Sequence, residues 1–151
     1  MSKIELPENL PEFIKSHLKL YLETDGREGH MWQVPGLDPL PTLLLTTQGR
    51  HSGRSRILPL IYGRHGDDYV VVASKGGAPH HPSWYLNLAA EPAVGVQVAR
   101  DKFQARARTT HGEERASLWD MMAGIYSPYT EYQENAGSRE IPVVVLERSS
   151  E

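Results

Sequence analysis

The sequence predicts an α+β fold that is mainly β, an antiparallel sheet with flanking helices, rolled into a barrel. Three observations predict it. Short runs rich in β-branched residues and leucine follow one another at hairpin spacing. Turn signals separate them, and two helical stretches interrupt them before a last strand closes the chain. A length of 151 residues suits a single core. The organisation is an N-terminal amphipathic helix and loop over 1–40 and a barrel over 41–151, together one domain without internal repeat or linker.

Residues 11–23, PEFIKSHLKLYLE, place Ile14, Leu18, Tyr21 and Leu22 at helical spacing with Phe13 close by, and the Asp25-Gly26 pair ends the helix. Its apolar face, with Lys15 and Lys19 beside it, can pack on the barrel or lie weakly on a membrane surface; packing is the commoner use of such a face. A loop containing Gly29, Pro35, Gly36, Pro39 and Pro41 follows. Strand runs then cover 42–47, 56–63, 68–74, 93–99 and 102–109. The last alternates, with Phe103, Ala105 and Ala107 on one side and Gln104, Arg106 and Arg108 on the other. His65-Gly66-Asp67 is a tight-turn signal, and Arg100-Asp101 links the fourth and fifth runs. HPSWYLNLAA reads as a short helix with Pro82 in its first turn. Thr110 and Glu113 have capping-box spacing for a longer helix carrying Trp119, Met122 and Ala123 on one face. Residues 141–147, IPVVVLE, form the closing strand.

A composition of 39% hydrophobic and 23% charged residues excludes global disorder. The absence of cysteine removes disulfides, thiolate metal sites, iron–sulfur clusters and cysteine nucleophiles, and fits a reducing compartment. No apolar run reaches membrane-spanning length, and MSKIELPENLPEF lacks a signal-peptide layout, so the expected location is cytoplasmic. A net charge of −3 argues against a general nucleic-acid binder. The average hides a polarity. Between Pro39 and Ala90 the only carboxylates are Asp67 and Asp68, against Arg50, Arg54, Arg56, Arg64, Lys75 and four histidines. That distribution points to a focused anion site.

Three segments carry chemistry. TTQGRHSGRSR, residues 46–56, sits where a hairpin should turn and holds three arginines, His51 and two glycines with no acid. Glycine lets main-chain N–H groups approach an anion, and arginine forks match phosphate or carboxylate. Alone, such a segment is more often a solvated basic turn. ASKGGAPHHPSWYLNL, residues 73–88, runs strand, glycine loop, helix, which presents main-chain donors to an anion with Lys75 as an added charge. His80 and His81 are poor metal ligands, because neighbours on an extended chain point apart. Trp84 is a packing residue or a pocket wall. IYSPYTEYQ places Tyr126, Tyr129 and Tyr132 three apart, on one side if helical, where phenols can line a pocket and donate to a substrate oxygen; Pro128 interrupts the regularity. Nucleophile-elbow, HExxH and GxGxxG signatures are absent. The residues by themselves describe an anion-binding barrel with an aromatic-lined pocket.

The joint occurrence of LLLTTQGRHSGRSR with PLIYG, of VVVASKGGAPHHPSWYLNLAAEP, of PYTEYQ and of REIPVVVLE resembles the deazaflavin-dependent nitroreductase family of actinobacteria, F420H2-dependent oxidoreductases with a split β-barrel like that of FMN-binding proteins. The resemblance runs from about Leu43 to Glu147. It implies coenzyme F420, a flat deazaflavin head on a chain bearing a phosphate and several glutamates. Arg50, His51, Ser52, Arg54, Arg56, Lys75, Gly76 and Gly77 would hold the phosphate and tail, with Pro59, Leu60, Ser74, Trp84 and Asn87 completing the cofactor site. Ser74, Tyr126, Tyr129 and Tyr132 would face the acceptor, and no metal is implied. The implied reaction is hydride transfer to a quinone-like or other electron-poor conjugated acceptor, nitroaromatic compounds included, by a monomer or homodimer. Nitroimidazole-reducing members have tyrosine two residues after the proline matching Pro59; here Ile61 stands there and Tyr62 falls on the opposite face, which favours quinones. The alternatives are a non-catalytic F420 carrier or sensor, and a split barrel using FMN or haem.

Overall fold

A computed structural model describes residues 12–33 and 38–149. Pro11, Pro35 and Gly36 lie outside the described residues. In chain order the elements are α1 (Glu12–Thr24), β1 (Met31–Trp32), β2 (Leu40–Gln48), β3 (Ser55–Ile61), β4 (Gly63–His65) and β5 (Asp68–Val72), then a 3₁₀ turn at Lys75–Gly77. There follow α2 (Ser83–Ala90), β6 (Ala93–Val98), β7 (Asp101–Thr109), α3 (Gly112–Ile125), α4 (Pro128–Asn135) and β8 (Val143–Arg148).

The strand pairs are antiparallel, in the order β1-β2-β6-β7-β8-β5-β4, with β3 also paired to β2. The run expected over 56–63 divides at Tyr62, and this division is what curls the sheet. β3 lies beside β2 and β4 lies at the far edge, yet only Tyr62 separates them in the chain. The sheet must roll until its two ends meet there. Tyr62 is 7% exposed, its hydroxyl pairs with His30 Nε2 at 2.7 Å and its ring meets Tyr69 edge-on.

Side chains alternate between two apolar layers. Leu43, Leu45, Val71, Trp84, Val96 and Val144 fill the barrel interior. Val70, Val72, Met122, Ile141, Val143 and Val145 face the other way, onto α3 and α4. β5 and β8 are therefore buried on both faces, which explains their unbroken apolar runs. A third cluster joins Leu18 and Tyr21 of α1 to Leu44 and Ile57. The Tyr21 hydroxyl donates to the Thr42 carbonyl (2.9 Å) and accepts from the Ala99 N–H (2.7 Å). The apolar face of α1 thus packs on the barrel, although Phe13 stays 61% exposed. Among the described residues no helix is long and apolar enough to cross a membrane.

Three local expectations need correcting. Thr110 does not cap α3: its hydroxyl donates to the Val143 carbonyl (2.9 Å), so it pins a strand end, and His111 takes the cap position without a side-chain bond. Pro82 precedes α2 rather than entering its first turn. Leu118 and Met122 are the buried residues of α3, with Trp119 only partly covered and Ala123 outside that buried pair.

Candidate functional site

The segments singled out in the sequence meet through two contacts. In the turn between β2 and β3, the Gly49 N–H donates to the Arg54 carbonyl and the Gly53 N–H to the Gly49 carbonyl, both at 2.8 Å. The Arg54 N–H donates to Ser52 Oγ (3.1 Å). Arg50, His51, Ser52 and Arg54 are exposed, and Arg56 is half-buried. Asn87 of α2 bolts this turn down. Its Oδ1 accepts from the Arg50 N–H (3.1 Å) and from Arg50 Nη1 (2.8 Å), and its Nδ2 donates to Thr47 Oγ1 (3.3 Å). Arg50 Nη1 also reaches the Ser83 carbonyl (3.3 Å) at the start of α2. The register sets Arg56 opposite Thr47, so turn, barrel rim and α2 converge there.

The second segment leaves β5 and turns at once. Ser74 has right-handed backbone angles (φ −75°, ψ −39°), followed by left-handed φ of 47° at Lys75, 63° at Gly76 and 85° at Gly77. A right-handed then left-handed pair makes a concave nest of N–H groups suited to an anion. The Gly77 and Ala78 N–H groups close the turn onto the Ser74 and Lys75 carbonyls, which leaves those of Lys75 and Gly76 unused within it. Lys75 and Gly76 are exposed. Gly77 is required for a different reason: a Cβ there would stand 2.7 Å from the Tyr132 carbonyl. That close approach is the second contact, and it seats the loop on α4.

The tyrosines do not share one helix. Tyr126 ends α3, Pro128 opens α4, and Tyr129 and Tyr132 follow within it. They still gather. The hydroxyls of Tyr126 and Tyr132 lie 3.0 Å apart, and the Tyr129 ring meets that of Tyr126 edge-on at 4.9 Å. Two hydroxyls sharing one hydrogen bond keep one hydrogen for a third oxygen. Burial and its hydroxyl neighbour push the Tyr126 phenol up to about 12, which keeps it neutral near pH 7. Tyr129 is 4% exposed, burial raises its phenol too, and its ring belongs to the apolar layer under α3 and α4. Ile61 packs against the outer apolar layer to which Tyr129 belongs, while Tyr62 points into the barrel, the division that their one-residue offset predicts.

Trp84 is 9% exposed and belongs to the barrel interior. The Leu60 side chain also packs on the interior. Pro59 is half-buried on the opposite face of β3, the face that carries Ile61. Ser74 is half-buried and its carbonyl accepts from Arg139 Nη2 (2.7 Å). Arg139 is the residue that sequence reasoning missed, since it lies outside the basic middle of the chain. A cavity of about 560 Å³ runs along the outer face of β2, β6 and β7, beside Leu22, Thr46, Gln97 and Gln104. None of the predicted site residues lines it.

The donor set fits a phosphate-bearing polyanion with a flat head. It offers a main-chain nest, a lysine, arginines on a glycine turn and an adjacent phenol wall, with no carboxylate among these groups.

The chain matches the family model described as F420H(2)-dependent quinone reductase over residues 13–148. It is 41% identical over 140 residues to an F420H(2)-dependent quinone reductase of Mycobacterium tuberculosis, covering 91% of both chains. A solved F420-H2 dependent reductase superposes with a TM-score of 0.66 at 44% identity, over 71% of this chain and 94% of the other. A further solved relative, 38% identical and described as a domain-swapped dimer, gives a TM-score of 0.68 over 88% of this chain and 96% of its own.

Proposed function

Since the chain belongs to the F420H(2)-dependent quinone reductase family and is an F420-using reductase of split-barrel fold, we propose that the Lys75–Gly77 nest and the Arg50–Arg56 segment hold the cofactor and that the tyrosine wall receives a quinone. One observation carries this reading. The Cβ position of Gly77 lies 2.7 Å from the Tyr132 carbonyl, so the anion-ready loop rests on the helix that carries Tyr129 and Tyr132.

On this reading the nest N–H groups and Lys75 hold the phosphate, and Arg50, His51, Ser52, Arg54 and Arg56 meet the glutamate tail. When bound, F420H2 supplies a hydride. Ser74 opens the loop and Pro59 shares a face of β3 with Ile61, while Leu60 and Trp84 pack in the barrel interior and Asn87 anchors the arginine turn from α2. The hydrogen left over from the Tyr126–Tyr132 pair is directed at the acceptor oxygen and stabilises the charge that develops there. Because Tyr126 is held neutral, it donates a hydrogen bond without losing its proton, and solvent completes protonation of the quinol. Ile61, in the same outer layer as Tyr129, adds an aliphatic side chain where a tyrosine would offer a donor, which suits a flat, apolar quinone better than a nitroimidazole needing that donor.

Mixing the protein with F420H2 and menadione and following the return of oxidised F420 absorbance tests the reading. Turnover above the protein-free control is expected. Tight F420 binding with no turnover across several quinones sinks the acceptor half and leaves a carrier. The proposed assembly is a homodimer, by extension from the swapped relative; light scattering reads it directly, and a stable monomer refutes it.

A further inference from the structure

Arg139 is 9% exposed, and its guanidinium reaches four acceptors. Nε donates to the Ala78 carbonyl (2.8 Å), Nη1 to the Ala73 carbonyl (3.1 Å) and to His81 Nδ1 (3.1 Å), and Nη2 to the Ser74 carbonyl (2.7 Å). Ala73 to Ala78 is the stretch that contains the nest, so one side chain grips both of its ends. Among the described residues no carboxylate pairs with it. A buried charge ordinarily requires a counter-ion, and carbonyl dipoles satisfy the hydrogens without cancelling the net charge.

The main chain at Arg139 is fixed in turn by α4. Gln133 Nε2 donates to the Arg139 carbonyl (2.8 Å), Gln133 Oε1 accepts from the Ile141 N–H (2.9 Å), and Arg115 Nη2 donates to the Ile141 carbonyl (2.7 Å). The side chain of Arg139 therefore acts on the loop while its backbone is tied to the helix bearing Tyr129 and Tyr132.

We propose that Arg139 is a positioning residue for cofactor binding: it clamps the left-handed Lys75–Gly77 turn in its anion-receiving shape and places an uncompensated positive charge behind it. The inference rests on the reading that this loop holds the F420 phosphate. It goes beyond that reading because Arg139 itself touches neither cofactor nor acceptor. Three consecutive left-handed residues, one of them lysine, need an external constraint to persist in the free protein. Lysine cannot replace the arginine, since an ammonium lacks the planar fork that spans four acceptors. A structural arginine alone would influence stability; a positioning arginine also sets affinity for the anion before it arrives.

The test compares Arg139→Met, Arg139→Lys and Lys75→Ala in the full chain. F420 binding is read by fluorescence titration, and amide exchange over residues 74–79 is read in the free protein. Arg139→Met is expected to speed exchange across the loop and weaken F420 binding about tenfold or more, with the KM for F420H2 rising and that for quinone unmoved. Lys75→Ala is expected to weaken binding with exchange unchanged. If Arg139→Met does not fold, Arg139→Lys decides: faster exchange with a smaller loss of affinity supports the clamp, and parental exchange overturns it. Parental affinity in Arg139→Met beside weakened binding in Lys75→Ala overturns the inference and leaves the loop reading intact. Parental affinity in both variants overturns the loop reading itself.

Discussion

The Lys75–Gly77 loop and the turn between β2 and β3 both gather cations and glycines, yet they are held in opposite ways. The loop is fixed from behind, by a buried guanidinium on its carbonyls and by α4 against Gly77. The turn stands out from the barrel on its own short hydrogen bonds, with Asn87 as its anchor to α2. A preorganised loop suits one phosphate of fixed shape, because the ordering cost is met during folding. An exposed turn suits a tail of several glutamates, where each contact is weak and exchangeable.

Gly77→Ala strikes the rigid partner of the pair and carries the largest expected effect. Left-handed φ and the collision with the Tyr132 carbonyl together cost about 2–4 kcal/mol, read as a lowered denaturation midpoint. Gly66→Ala is the control: φ is 61° there and nothing stands within 4 Å, so only about 1 kcal/mol should be lost. Equal losses in the two variants would break the distinction between a packed and an open glycine.

Asn87→Ala addresses the turn. It removes two accepted bonds from Arg50 and the donation to Thr47, a loss of about 1–3 kcal/mol. F420 forms with long glutamate tails should lose more affinity than a tail-less analogue. Identical losses for both would show that the turn does not meet the tail.

Much of this was legible in the sequence, and the failures have physical causes. The strands of the barrel declare themselves by alternation and turn chemistry, and Asn87 falls within the glycine-loop segment that the sequence marks. Thr110 carries a capping-box spacing that is a local signal, whereas its hydroxyl is taken by a strand 33 residues away. Arg139 was invisible for the same reason: its acceptors lie 58 to 66 residues earlier in the chain. Tyr62 looked like one more strand residue because nothing local shows that the sheet's two ends meet there. Long-range hydrogen bonds leave no periodic trace.

The loop rests on the helix that carries Tyr129 and Tyr132 whereas the turn is anchored to α2, so acceptor chemistry should be felt on one side only. Tyr126→Phe is expected to lower kcat for quinone about tenfold while F420 affinity stays parental. With its phenol held near 12, the pH profile of the rate should keep its shape between about pH 6 and 10. A titrating limb that vanishes in the variant would assign Tyr126 the role of an acid instead.

The smallest effect is on stability in acid. Burial lowers the pKa of His81, assisted by the Arg139 charge, and burial lowers that of His30. A depressed folded-state value means that the unfolded chain takes up protons first. Stability from these two rings is therefore present above their unfolded value of about 6.5 and lost as pH falls through their folded values. Thermal midpoints should decline from near that pH downward, and His81→Gln should flatten the decline on the loop side. An unchanged slope would mean that the imidazole contributes nothing to holding the loop.

The single-residue joint at Tyr62 separates two kinds of duty. On its inward side Tyr62 is committed to His30 and Tyr69, and replacing it disturbs the closure of the sheet. One position earlier, Ile61 belongs to the outer apolar layer that α3 and α4 cover. A single peptide unit thus works as the seam's stitch: the residue on one side of it locks the barrel shut, and the residue on the other pads the helices laid over it.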